Sequence, residues 1–255
     1  MRGCYPFRGP GGSEAWAPPI TNPPIFFLCF MKLLLAVSDL ALINETLTHF
    51  SLQPAPVPGF DYLHTGRVLQ HEVAFCETGH GNFQTGYKIT KALSRERYHL
   101  ALKISTGNAY KPDYAPGFAL NIINEKPGDY GTQTEAGFRD LYDQQLLNRE
   151  AAPHIRGGFV NLTNAYMNVF MPFKKAVGIT VNQTANTAAY TERSAKYKCD
   201  AETTDGLAFV YPCLYEKQSY YHLCFITHNL VTSQVDAALC QTTVNKVLID
   251  LLNKI

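Results

Sequence analysis

The chain has 255 residues, enough for one large domain with a sizeable core. Hydrophobic residues make up 46% and charged residues 17%, which is typical of a globular protein and excludes a largely disordered one. A net charge of +1 argues against a nucleic-acid-binding class, because such proteins carry a strongly basic surface. The seven cysteines form no CxxC pair, which favours reduced thiols in a cytoplasm over a disulfide framework or a zinc site.

The start of the chain differs in composition from the rest. Residues 1–30 are rich in Pro and Gly and predict a leader that is disordered or precedes the true start, with the domain over 31–255. Ile25–Val37 is an apolar stretch broken by Lys32, which is similar to a signal peptide but too short to span a bilayer. We favour the alternative, a buried first strand over Lys32–Ser38.

Short apolar runs then alternate with stretches of helical spacing. Further strands are predicted at His71–Glu77, Leu100–Ser105, Phe118–Asn124, Val177–Asn182 and His222–Thr227. Helices are predicted at Leu40–Phe50, Asn82–Glu96, Asp205–Glu216 and Val235–Asn253, and a proline-rich loop at Leu52–Gly59. Strands interleaved with helices indicate an α/β fold, with helices on both faces of a mixed central sheet.

Ligands of such sheets bind beyond the carboxyl ends of the strands. Four predicted loops lie there, at residues 38–39, 78–82, 105–108 and 227–229. The turn Thr78-Gly79-His80-Gly81 lacks the third glycine of a dinucleotide motif and the Lys-Ser/Thr pair of a phosphate-binding loop, which disfavours both kinds of site. No metal-ligand spacing of His, Asp and Glu is present, so we expect neither a metal nor another cofactor.

Several short motifs follow one another along residues 31–255: MKLLLAVS, TGHG, NIINEKPGDYGTQTE, VGITVNQT, CDAETTDGLAFVYPCLYEK, CFITHN and NKVLIDLLNKI. In this order they resemble the futalosine hydrolases, of the nucleoside phosphorylase/hydrolase superfamily. The resemblance implies a phosphorylase/hydrolase-like fold and hydrolysis of the N-ribosidic bond of futalosine, which releases hypoxanthine in menaquinone biosynthesis. It also implies a cytoplasmic homo-oligomer that uses no metal and whose partner is a small nucleoside. From the net charge and the short apolar stretch, we expect neither a nucleic-acid nor a membrane partner.

The same resemblance assigns site residues. The ribose-gripping carboxylate falls on Asp205, one methylene shorter than the family's glutamate. The group that faces the purine falls on Asn229, whose amide both donates and accepts hydrogen bonds and suits a 6-oxopurine. The other expected substrate-binding residues are Thr106, Gly107, Asn108, Asn182, Thr203 and Thr204. In a structural alternative, Thr203 or Thr204 caps a helix and Asp205 lies near its positive end.

The family's water-activating glutamate is not matched. Leu42 stands at its position, and Glu45, about one helical turn away, is the predicted replacement. Asn108 also replaces a glycine of the family pattern. Two hypotheses therefore remain, an active ribosyl hydrolase and a catalytically impaired homologue that binds a purine nucleoside or is a non-enzymatic subunit. A phosphorolytic enzyme is disfavoured, because the loop at 78–82 has no arginine for an anion.

Overall fold

The computed structural model describes residues 30–185 and 187–255, so the predicted leader lies outside the described residues apart from Phe30. The strands are β1 (Lys32–Val37), β2 (Ala55–Val57), β3 (Phe60–Val68), β4 (His71–Glu77), β5 (Leu100–Ala109), β6 (Ala119–Pro127), β7 (Gly131–Thr134), β8 (Gly137–Asp140), β9 (Phe159–Val160), β10 (Lys174–Thr180), β11 (Ala201–Thr203) and β12 (Tyr220–Asn229). The helices are α1 (Asn44–His49), α2 (Asn82–Arg95), α3 (Met167–Phe170), α4 (Thr187–Tyr197), α5 (Gly206–Tyr215) and α6 (Ala237–Lys254), with a 3₁₀ turn (Leu40–Ile43) before α1.

One mixed sheet carries most of these strands. Its order is β11-β10-β6-β12-β5-β1-β4-β3-β2, with β9 on β6, while β7 and β8 form a separate hairpin. Strand β11 pairs antiparallel with β5 as well as parallel with β10. Strands β5, β12, β6, β10 and β11 therefore close into a ring, and the carboxyl half of β5 has a partner strand on each side.

Helices cover both faces of the sheet, as predicted. Alternate residues of a strand point to opposite faces, so Leu35 joins a core with α6 while Leu34 joins a core with α2 and α5. Burial of each such leucine stabilises the fold by about 1.5–3 kcal/mol. Among the helices that the structure describes, none has both the length and the apolar character needed to cross a membrane.

The predicted first strand is confirmed, because β1 lies between β4 and β5 at the centre of the sheet. The predicted loop after the third strand was wrong: residues 106–109 continue β5 because β12 and β11 hydrogen-bond to them. The predicted loop at Leu52–Gly59 contains β2, which pairs with β3. Strand β3 was not predicted, because its polar residues interrupt the apolar alternation.

Candidate functional site

A cleft of about 160 Å³ opens where the carboxyl half of β5 lies against β11. Its walls are Thr106, Gly107, Asn108, Thr184, Glu202, Thr203, Thr204 and Thr227. Five of the six predicted substrate-binding residues thus line one cleft. The sixth, Asn182, lines a separate pocket with Asp129 and Arg193. The walls of the cleft are rich in hydroxyls, because five of the eight lining residues are threonines.

Gly107 allows the close approach of β5 and β11 that forms the cleft. A Cβ at this position would lie 2.4 Å from the carbonyl oxygen of Glu202 and 2.8 Å from Sγ of Cys224. Both atoms belong to the packed sheet, so any larger side chain would force the strands apart. Glycine is therefore required here for the spacing of the cleft wall.

Glu202 organises that wall and is only 1% exposed. Its Oε1 accepts hydrogen bonds from Nδ2 of Asn108 and from the backbone N–H of Ala185, both at 2.9 Å. Its Oε2 accepts from the hydroxyl of Tyr110 at 2.7 Å and from Nη1 of Arg193 at 3.2 Å. Burial, together with the charge of Glu202, raises the pKa of Tyr110 well above its usual range, so the phenol remains a donor. With four donors this carboxylate is saturated, which suits a structural role.

Asp205 does not line the cleft, and its carboxylate forms an ion pair with a buried lysine. Its Oδ2 lies 2.6 Å from Nζ of Lys103, whose side chain is fully buried, and the Asp205 side chain is 8% exposed. The same ammonium donates to Oγ1 of Thr78 at 3.1 Å. Nothing in the motif predicted Lys103, although a lysine within the apolar run Leu100–Ser105 signals a buried partner of opposite charge.

The start of α5 explains part of the motif that contains Asp205. Asp205 is the N-cap residue of α5 but makes no side-chain capping bond. Oγ1 of Thr203 instead accepts the backbone N–H of Gly206 at 3.1 Å. Thr203 therefore both lines the cleft and satisfies a free donor at the helix start, which agrees with the capping alternative. A role of Asp205 toward a ribose stays a prediction.

The amide of Asn229 is fully buried and connects two loops. Its Nδ2 donates to the carbonyls of Lys111 at 2.8 Å and Tyr114 at 3.0 Å. Its Oδ1 accepts the backbone N–H groups of Val231 and Thr232, each at 2.9 Å. Both ends of the amide are thus engaged within the chain, and its role toward a purine stays a prediction.

Glu45, the predicted replacement for the water-activating base, is exposed on α1. That helix packs against α6, and none of its residues lines the cleft. The structure therefore does not bring Glu45 together with the residues predicted to bind substrate, and its catalytic role stays a prediction.

No protein-family model and no curated protein sequence matches the chain. Solved structures do. A futalosine hydrolase mutant of Helicobacter pylori matches with a TM-score of 0.72 and 12% identity, covering 88% of this chain and 100% of that one. A mutant 5′-methylthioadenosine/S-adenosylhomocysteine nucleosidase of the same organism, with 5′-methylthioadenosine in its active site, has a TM-score of 0.71 and 14% identity over 88% and 99%. This chain has the nucleoside phosphorylase/hydrolase fold. A 5′-methylthioadenosine/S-adenosylhomocysteine nucleosidase of Campylobacter jejuni has a similar structure, with a TM-score of 0.70 and 11% identity. The match covers 88% of this chain and 100% of that one.

The phosphorylase/hydrolase fold of this chain also encloses a row of polar side chains between the sheet and α5. Oγ of Ser105 lies 2.6 Å from Nε2 of His222, and Nδ1 of His222 lies 3.4 Å from Oε2 of Glu125. Serine, histidine and carboxylate in this order are used in nucleophilic catalysis. Here Ser105 is 3% exposed and His222 is fully buried, so a substrate cannot reach them and the row is structural.

The described residues contain no group of three or more His, Cys, Asp or Glu side chains arranged to hold a metal ion. The charged groups near the cleft instead form ion pairs with one another, Glu202 with Arg193 and Oδ2 of Asp205 with Lys103. What the cleft offers a ligand is therefore neutral: threonine hydroxyls, backbone groups and the half-buried amide of Asn108.

Proposed function

We propose that this chain is a divergent nucleosidase-type protein that binds a purine nucleoside, futalosine or a relative of it, in the threonine-lined cleft, with hydrolysis of the N-ribosidic bond strongly impaired. One observation carries the proposal. Five residues expected to contact substrate share the cleft, whereas the side chains of Asp205 and Asn229 are held in bonds within the chain. A neutral, hydroxyl-rich wall suits the polar edges of a sugar or a 6-oxopurine.

The chemistry explains why we expect little catalysis. Cleavage of a ribosidic C–N bond places positive charge on the sugar and negative charge on the departing base, so fixed groups must stabilise both. A base must also direct water at the anomeric carbon. General acid–base catalysis typically raises the rate ~10²–10⁴-fold. Glu45, Asp205 and Asn229 do not line the cleft and so are not positioned to supply it. We expect turnover to be lower than that of an active enzyme by about this factor.

The size of the cleft limits how a nucleoside can bind. Its volume of about 160 Å³ is roughly half the ~300 Å³ at which small-molecule pockets begin, so it encloses only part of the ligand. Thr106 is exposed at this wall, and the remaining part of the nucleoside would contact that region. This geometry favours modest affinity.

The test combines binding and release in one preparation. Calorimetric titration with futalosine measures affinity, and chromatography of the same mixture measures hypoxanthine. The Helicobacter pylori futalosine hydrolase is the matched positive control, because its fold is similar. We expect saturable binding and a hypoxanthine release rate at least ~10²-fold below that of the control. No binding of futalosine, inosine or adenosine would contradict the proposal.

Full hydrolysis of futalosine is the second candidate. The fold likeness to a futalosine hydrolase favours it, as does the position of Asp205 directly after the cleft residues Thr203 and Thr204. Release at the control's rate, lost in Asp205→Ala, would establish it in place of the first proposal. A cytoplasmic role in menaquinone biosynthesis and a homo-oligomeric state would then be proposals to test in turn.

A further inference from the structure

A second cavity, of about 340 Å³, lies beside the core that α6 covers. Strands β6, β10 and β12 form one side of it, and the chain segment 161–171 forms the other. Its volume falls within the range of small-molecule sites, which begins at about 300 Å³. None of its described lining residues lines the threonine-lined cleft, so a ligand here would bind independently of a nucleoside.

The walls of this cavity are held in place by bonds within the chain. The rings of Phe170 and Tyr221 stack with their centroids 3.7 Å apart and their planes 10° apart. The hydroxyl of Tyr221 donates to the carbonyl oxygen of Ala165 at 2.9 Å. Nδ2 of Asn161 donates to the carbonyl oxygen of Tyr220, also at 2.9 Å. The segment that covers the cavity is therefore fixed to β12, and the cavity is preformed.

One polar group in the cavity wall has no partner. Asn121, on β6, lines the cavity and is only 3% exposed. Its Oδ1 is shielded from solvent and accepts no hydrogen bond from the described residues. Because an unpartnered buried polar group destabilises the fold, an apolar side chain of similar shape would serve folding better. A donor on a ligand would satisfy this oxygen.

Lys175 supplies a positive charge next to this amide. It is the register neighbour of Asn121 on β10, and neighbouring strands lie about 4.8 Å apart. Lys175 is exposed, and it alone is charged among the described residues that line the cavity. Most of the remaining lining surface is apolar and includes Met167, Phe170 and Met171. The cavity thus combines one cation, one free acceptor and an apolar wall.

We propose that this cavity binds a small carboxylic acid that has an apolar body and a hydroxyl or amino group next to its carboxyl. The carboxylate pairs with the ammonium of Lys175, and the neighbouring hydroxyl or amine donates to Oδ1 of Asn121. These two groups of the ligand are adjacent because Asn121 and Lys175 are adjacent in the sheet. The apolar body packs against Met167 and Met171, whose flexible side chains adapt to its shape.

The first experiment locates the ligand by NMR of methionine methyl groups. The probe is phenyllactate, and the comparison compound is hydrocinnamate, which differs only in lacking the hydroxyl. Met167 and Met171 line the cavity, whereas Met31 is buried in the main core. Saturating phenyllactate should shift the resonances of Met167 and Met171 through the ring current of its phenyl group and leave that of Met31 unchanged. If neither Met167 nor Met171 shifts, the inference is wrong.

The second experiment measures dissociation constants from the same resonances. The wild type should prefer phenyllactate over hydrocinnamate by about two- to tenfold, the value of one neutral hydrogen bond. Asn121→Leu should bring that ratio to near 1. Lys175→Gln should weaken the binding of both acids by about two- to fivefold and leave the ratio unchanged. Lys174→Gln is the matched control, because Lys174 is the next residue on β10 but does not line the cavity, and it should bind as the wild type does.

Two results with the variants would overturn the inference. One is an Asn121→Leu variant that keeps the wild-type ratio, and the other is a Lys175→Gln variant that binds both acids as tightly as the wild type. Thermal unfolding checks that Asn121→Leu folds, and we expect it to be at least as stable as the wild type because it loses an unpartnered amide. If it does not fold, the exposed Lys175→Gln variant and the methyl shifts decide. The titrations contain no nucleoside, so their outcome is separate from that of the proposed function.

Discussion

Glu202 and Asp205 lie three residues apart around the same strand end, yet their surroundings differ. Glu202 lines the cleft and is bound by four donors, of which only Arg193 is charged. Asp205 is outside the lining and pairs with one fully buried cation, Lys103. The comparison shows that the availability of a carboxylate depends on what is buried beside it, and that its place in a motif does not settle this.

The largest expected loss of unfolding free energy follows from removing Lys103, the partner of Asp205. Lys103→Ala leaves the carboxylate buried without its partner, and loss of one member of a buried pair costs about 3–5 kcal/mol. Lys111→Ala, which removes a half-exposed ion pair with Asp200, should cost no more than about 1 kcal/mol. Urea unfolding of both variants measures the difference, and equal losses would show that burial does not distinguish the two pairs.

A smaller loss of unfolding free energy is expected when one hydrogen-bond donor to Glu202 is removed. Tyr110→Phe removes one of four donors to the carboxylate, and a hydrogen bond to a charged group contributes about 1.5–3 kcal/mol. Tyr190→Phe is the control, because Tyr190 packs on the ring of Tyr110 but its hydroxyl makes only a 3.5 Å contact. Its unfolding free energy should change by less than about 0.5 kcal/mol. A Tyr110→Phe variant as stable as this control would mean that the remaining donors compensate fully.

The smallest effect on stability is expected at the mouth of the cleft. Thr106→Val removes an exposed hydroxyl without changing the shape of the side chain, so the unfolding free energy should stay within about 0.5 kcal/mol of the wild type. Affinity for inosine should fall about two- to tenfold, which is the value of one neutral hydrogen bond. Thr48→Val, exposed on α1, should leave affinity unchanged. Equal affinities of the two variants would place the ligand away from Thr106.

Much of the fold could be predicted because its central strands are strongly apolar. The runs that became β1 and β4 are long, hydrophobic and bounded by turn residues, so their periodicity is readable. Among the elements that escaped prediction, β3, β7, β8 and α4 have mainly polar residues and no such period. The others, β2, β9, β11 and α3, are only two to four residues long, too short to show a period. Their conformation depends on partners elsewhere in the chain.

The candidate site also has features that could be predicted from the sequence and features that could not. The motif that ends at Gly206 pointed to Thr203 and Thr204, which do line the cleft. The sequence Thr106-Gly107-Asn108 predicted a loop, since Gly and Asn favour turns. These residues are strand instead, because β11 and β12 supply backbone partners on both sides.

By itself, the sequence determined the main apolar strands, the helices α2, α5 and α6, the superfamily resemblance and five of the eight cleft residues, because these depend on local pattern. Only the tertiary structure decided which side chains are free to meet a ligand. Lys103 and Asp205 are far apart in the chain and meet only when α5 packs over β5. The pairing of buried charges is a long-range property, since it depends on which elements pack together rather than on the residues next to either charge.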